Sequence, residues 1–306
     1  MEYAANMHAK SANDLLALWR EAFKAADDPL KLDFIANALA MKLRDPTGNL
    51  TAVLQQVREV FMDASNIPFA RWQAAQILGQ AATRETVGTL LSLLASTNQP
   101  EPRGWLLDQI AQASQNNWSG HFHEEFTDLL TKAWQETSQP DVLPTLGFAL
   151  ASVGSDKAFD LLFAEIEQGG LTVSEFEKNA GERAWVAFSS LEHVSNPDAS
   201  SYMEGELWAG AIDSITSSAA GYSLAKMGDP QATAVLLKYV QANANDLTPH
   251  VETWFSQMRD EQSVKLVDAL LKTDSFANPQ NRAALSNTLA TWLAQRSENL
   301  RPLVDQ

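Results

Sequence analysis

The densest set of potential ligands in the chain is His121-Phe122-His123-Glu124-Glu125. Two imidazoles one residue apart, followed by carboxylates, offer nitrogen and oxygen donors of the kind that hold Zn²⁺ or a similar ion. The competing reading is a loop entering a helix, because the helix dipole stabilises acidic residues in a first turn. His8, His193 and His250 stand alone in the sequence. The paired carboxylates Asp27-Asp28 and Glu124-Glu125 have the type needed for acid–base chemistry, yet each pair also falls beside an expected helix start. There is no G-x-G-x-x-G, P-loop, H-E-x-x-H or G-x-S-x-G motif, and Gly221-Tyr222-Ser223-Leu224-Ala225 departs from the last at its final position. The absence of cysteine excludes thiolate nucleophiles, disulfides and cysteine-held metals, and fits a reducing or an oxidising compartment equally. The sequence thus assigns no catalytic residue, no cofactor and no metal site.

Recognition is better represented than catalysis. The chain has nine tryptophans. Trp72, Trp105, Trp185, Trp254 and Trp292 fall in apolar-periodic runs and are expected to pack between successive helical units. Trp118 sits instead in the polar stretch Gln115-Asn116-Asn117-Trp118-Ser119-Gly120, where a large apolar group has little to bury against. A second irregular stretch runs from Gly169 to Ile212: Gly169-Gly170 breaks a helix, Ser174 to Asn179 can form an extra short one, and the following element contains Tyr202, Met203 and Trp208. Insertions in repeated helical arrays often map to one face, frequently the functional one. The candidate partner-binding residues are therefore Trp118, Phe122, Tyr202, Met203 and Trp208. The competing readings are that Trp118 folds back onto the array and that the irregular stretch is a bend between imperfect repeats.

The elements that must position these residues are helices. No run shows sustained period-two alternation, and every proline lies at or near the start or end of an apolar-periodic run. The pattern predicts helices over 11–26, 30–43, 49–63, 68–80, 84–95, 102–114, 122–137, 141–153, 155–168, 181–194, 198–212, 214–227, 230–243, 248–258, 260–272 and 279–296. One phrase recurs in three of them: Ala74-Ala75-Gln76-Ile77-Leu78-Gly79, Ala149-Leu150-Ala151-Ser152-Val153-Gly154 and Ser223-Leu224-Ala225-Lys226-Met227-Gly228. The glycines are 75 (154 − 79) and 74 (228 − 154) residues apart, and half of that interval, roughly 37 residues, is the length of one paired-helix unit. In the best-defined unit Gly228 is placed to end one helix in the left-handed conformation, Asp229 to cap the next, and Pro230 to occupy its first turn. Gly154-Ser155-Asp156 repeats the arrangement, and at Gly79 the turn is about three residues longer and ends on Thr83 as the cap.

These paired helices resemble HEAT repeats, particularly the short bacterial form with an Ala-rich first helix, a Gly-Asp-Pro-like turn and a Leu-rich second helix. The resemblance implies an all-α fold, a right-handed α-solenoid of about seven to eight helical pairs whose second helices line a concave surface. It covers the chain as a single array over residues 1–306, with a capping helix in 1–28 and irregular units in 169–212. That family spans scaffolds, adaptors, lyase-like proteins and a few DNA-repair enzymes, so the resemblance speaks to fold far more than to function.

Charge narrows the partners. A net charge of −16, with 22 basic residues facing 38 acidic ones, leaves no cationic track for phosphates, which argues against nucleic acid and anionic membrane surfaces. No segment approaches ~18 uninterrupted apolar residues, so no membrane insertion is expected of the chain as given. Met1 to Lys10 lack the basic start and apolar run of a secretory leader. The protein is expected to be cytoplasmic if Met1 is its native start, and periplasmic or otherwise extracytoplasmic if a leader preceded it. The expected function is that of a non-enzymatic scaffold or adaptor for a protein or peptide, a basic one suiting the field. The alternative is an enzyme accessory domain, or a lyase-like repeat protein binding a small ligand or metal.

Overall fold

The structure is a computed structural model that describes residues 10–24, 28–44, 50–115, 122–194, 196, 198–211 and 213–243, with residues 254, 257, 258, 262, 265 and 272. The described residues are all-helical. They form α1 (Ala12–Lys24), α2 (Pro29–Leu43), α3 (Thr51–Met62), α4 (Pro68–Ala81), α5 (Arg84–Ser96), α6 (Pro100–Gln115), α7 (Phe122–Glu136), α8 (Leu143–Val153), α9 (Asp156–Gln168), α10 (Val173–Asn179), α11 (Glu182–Ser190), a 3-10 turn (Leu191–His193), α12 (Ala199–Ala209), α13 (Ile215–Met227) and α14 (Pro230–Ala242). No strand occurs among them, and the nearest approach to sheet is a single antiparallel bridge between Thr172 and Ser214. The boundaries agree with the apolar periodicity to within a few residues. The helices expected at 248–258, 260–272 and 279–296 lie largely outside the described residues. No described helix is long and apolar enough to cross a membrane.

The Cα positions cluster into two compact units, Met1–Val153 and Gly154–Gln306. In the first unit the helices form two interleaved rows. The even-numbered helices pack each on the next, α2 on α4, α4 on α6 and α6 on α8, while α1, α3, α5 and α7 do the same. Sequence neighbours join the rows. Within that row α4 and α8 are wrapped on nearly every side: α4 buries Ala70, Gln73, Ala74, Ala75, Ile77, Leu78, Gly79 and Ala81, and α8 buries Leu143, Leu146, Gly147 and every residue from 149 to 153. Small residues permit that close approach, as a Cβ on Gly79 would lie 2.8 Å from the Cβ of Gln109 on α6. A buried polar relay crosses the same unit, with the Trp19 indole donating to Gln73 Oε1 (2.9 Å) and the Gln73 amide donating to Asp33 Oδ1 (2.6 Å). It ties α1 and α2 to α4.

The second unit is built around α13, which packs against α9, α10, α12, α14 and the 3-10 turn. Its sequence is rich in Ser, Ala and Gly, and ten of its residues are buried. Gly221 faces the Trp254 ring so closely that a Cβ there would come within 2.2 Å of it, and the Trp254 indole donates to the Ser218 carbonyl at 2.9 Å. The short α10 is the extra helix expected in the irregular stretch. It is opened by a capping box in which Thr172 and Glu175 satisfy each other's backbone N–H groups.

The turn chemistry read from the sequence holds at two of the three repeats. Gly228 has φ 67° and Gly154 φ 62°, both left-handed; Asp229 accepts from Gln231 N and Ala232 N, and Ser155 from Ala158 N. At the first repeat Thr83 is the cap, as expected, in a capping box with Thr86. Gly79 does not end its helix: α4 runs on to Ala81, and Ala82 (φ 48°) takes the left-handed position instead. The glycine there serves packing rather than termination. Gly228→Val is expected to cost ~1 kcal/mol or more, because a β-branched residue fits left-handed backbone poorly. Gly221→Ala is expected to cost about 1–3 kcal/mol through overpacking against Trp254. Denaturant titration measures both, and wild-type stability in either variant would contradict the stated role of that glycine.

Candidate functional site

The outward faces of α3, α5 and α7 form the site. In α5 the buried face is Thr86, Val87, Leu90, Leu93 and Leu94, which leaves Glu85, Gly88, Ser92 and Ala95 on the opposite side at helical spacing. Two furrows border that side. One has a volume of about 380 Å³ and lies between Thr51, Leu54, Gln55 and Arg58 of α3 and Glu85, Gly88, Thr89 and Ser92 of α5. The other, about 450 Å³, lies between α5 and the Leu129, Lys132, Ala133 and Glu136 side of α7, over a floor that includes Leu94, Val142 and Leu146. Gly88 and Ser92 line both. One helical turn of small side chains thus forms a notch in the boundary that the two furrows share.

Gly88 stands in the interior of a helix, where glycine costs roughly 0.5–1 kcal/mol relative to alanine. Nothing occupies the space it leaves: the nearest atom to a Cβ there would be Leu129 Cδ1 at 3.9 Å. Past the end of α7 this furrow is bounded by Thr137, Ser138 and Gln139. That segment is held by Arg103, which is 8% exposed. Its guanidinium donates to the Leu94 and Thr97 carbonyls (3.2 and 2.9 Å), to Gln139 Oε1 (2.6 Å) and to Asp141 Oδ2 (2.9 Å). One side chain therefore seals the end of α5 and fixes the furrow's end wall.

The residues selected from the sequence fall elsewhere. Trp118 and His121 lie outside the described residues, as do the side chains of Phe122, His123, Glu124 and Glu125 in the first turn of α7. Asp28 caps α2 by accepting from Leu30 N at 3.0 Å, a structural use of one of the paired carboxylates. Met203 is fully buried, so it belongs to the core rather than to a recognition surface. Tyr202 is half-buried. Its ring packs on Phe159 (5.1 Å) and Phe163 (6.0 Å), and its hydroxyl donates to Asp160 Oδ1 at 2.7 Å, which joins α12 to α9. Trp208 is 40% exposed, edge-on to Tyr239 with Lys238 Nζ 5.7 Å from its ring centre. Among the tryptophans expected between units, Trp254 is buried, whereas Trp185 is 45% exposed and leans edge-on against Phe176. Trp72 and Trp105 are half-buried, and Trp292 lies outside the described residues.

Compared with known protein families, curated protein sequences and solved structures, the chain matches none. The chemistry of its surfaces rests on its own residues.

The α9–α12 surface of the second unit gathers the carboxylates Asp160, Glu167 and Glu206. Burial pushes the Glu206 carboxyl above the usual range, and the negative charges of Glu167 and Asp160 push it further. The Tyr202 phenol is raised by burial and by its bond to Asp160. Among the described residues no cluster of three or more His, Asp or Glu has the arrangement of a metal site. The furrow residues Arg58, Glu85, Gly88, Ser92 and Leu129 were not singled out from the sequence. The available signal was Gly88, a glycine in mid-helix with no turn to make.

Gly88→Ala is expected to raise stability by about 0.5–1 kcal/mol in a denaturant titration, since the methyl group enters open space and removes backbone freedom from the unfolded chain. A loss would show that the notch is already filled. For Glu206, a carboxyl raised by folding stabilises the fold in its protonated form. That contribution is full below the usual carboxylate range and is lost as pH rises through the raised value. Glu206→Gln is therefore expected to gain stability relative to wild type as pH rises from acid to neutral, and a constant difference across that range would refute the strain.

Proposed function

We propose that this protein is a non-enzymatic adaptor, a HEAT-like right-handed α-solenoid of about seven to eight helical pairs that holds a segment of a protein partner along α3, α5 and α7. The alternation of helix rows in the first unit supports the solenoid reading, since each row places like helices side by side. The observation that carries the binding reading is the joined furrow. A compact small ligand needs one enclosed cavity, whereas two furrows meeting at Gly88 and Ser92 suit a linear occupant that crosses α5. The floor supplies apolar burial and the rim supplies polar side chains, the usual division within a recognition surface. Glycine at position 88 lowers helix stability and leaves that surface open.

The test uses the full chain. Gly88→Leu places a larger side chain in the notch without entering the core, because only Leu129 Cδ1 lies near the new Cβ. A photo-crosslinking amino acid at the exposed position 92 is expected to capture a protein partner in cells that naturally contain it. Adding Gly88→Leu should reduce that adduct at least ~10-fold, equivalent to about 1.4 kcal/mol, with no fall in melting temperature. Trp208→Ala, on the second unit, should leave it unchanged. Undiminished crosslinking in the Gly88→Leu background would remove the furrow from consideration.

A further inference from the structure

We infer that the furrow takes its occupant as an extended peptide segment carrying an adjacent acidic and basic pair, followed about three residues away by a large apolar side chain. The inference rests on the furrow being the binding surface. Arg58 on the α3 wall and Glu85 on the α5 wall have no ionic partner among the described residues, although both line the same furrow. A chain that crosses from α3 to α5 passes Arg58 on one wall and Glu85 on the other, so neighbouring residues in it meet opposite charges in a fixed order. An acid toward Arg58 and a base toward Glu85 complement both.

The other end differs. Leu91, Leu94, Leu129, Ala133, Val142 and Leu146 give the α5/α7 furrow an apolar lining, and the Lys132 and Glu136 charges on its rim are paired with each other at 3.9 Å. That end fits an apolar side chain. Packed helices lie about 8–10 Å apart, a distance that about three residues of extended chain cover at ~3.3 Å each. Gln55 and Ser92 line the path between the two ends. Their amide and hydroxyl groups match the unpaired backbone N–H and C=O groups of an extended segment, which a helical occupant would keep to itself.

The probe is a phage-displayed library of random linear peptides panned against the full chain. Enriched sequences are expected to carry the adjacent opposite charges with a Leu, Phe, Met or Trp about three positions away. Their synthetic versions should lose at least ~10-fold in affinity to Gly88→Leu, and a similar factor when the apolar residue becomes Ser. Panning against the Arg58→Glu, Glu85→Arg double variant should enrich the charged pair in reverse order, a result that a general loss of folding cannot produce. Enriched peptides with apolar residues at helical spacing that are blocked by Gly88→Leu would overturn the extended-peptide inference and leave the furrow as the binding surface. Peptides that bind Gly88→Leu as tightly as wild type, or no enrichment at all, would overturn both.

Discussion

Each helix in a stack of helices ends with up to four carbonyl groups that have no intrahelical partner, and where the end is buried against a neighbour, water does not supply one. Much of this protein can be understood as a response to that constraint. In the first unit three helix ends receive an arginine from another part of the chain. Arg71, in the first turn of α4, donates to the Phe61 carbonyl near the end of α3 at 2.7 Å. Arg103, in the first turn of α6, closes α5. Arg44, just past α2, donates to the Gln80 and Ala81 carbonyls at the end of α4, where burial draws its guanidinium below its usual pKa. In the second unit Gly228 turns the backbone back on itself, and Asn243 donates from its side chain to the Tyr239 carbonyl.

The arginine solution has a consequence that the glycine solution lacks. A guanidinium offers five donors in a rigid fork, so one residue can close a helix and bind a following segment at the same time. Arg103 does both, and the segment it holds through Gln139 and Asp141 forms the end wall of the furrow. The α5/α7 furrow thus ends on a segment held by a buried arginine. In this way helix termination, a stability requirement, also sets the shape of the candidate site.

Close packing of the even-numbered row has a related effect on the odd-numbered row. In α4 and α8, Ala and Gly let neighbours approach on nearly every side, which concentrates the core around them. The odd helices bury one stripe and leave the other to solvent. On that free face, side-chain size alone decides whether neighbouring helices close over the gap or leave a channel. At Gly88 and Ser92 they leave one.

The sequence by itself determined the elements and their punctuation. Helical periodicity and the prolines are local properties of the chain, as are the Gly228-Asp229-Pro230 turn and the Thr83 cap, so these could be read without knowing any neighbour. The extra helix in the irregular stretch was legible for the same reason. Tertiary structure decided what each residue faces. Gly79 and Gly228 stand at the same place in a repeated phrase, yet one makes room for Gln109 and the other turns the chain, because only the distance to α6 distinguishes them. Tyr202 and Met203 looked like recognition residues because they interrupt a pattern. In the structure Met203 fills the core and Tyr202 packs on Phe159 and bonds to Asp160, a contact 42 residues away in sequence. The furrow was the least legible feature. It lies between three helices around the small residues Gly88 and Ser92 of α5, and an empty volume belongs to no residue until those helices are packed side by side.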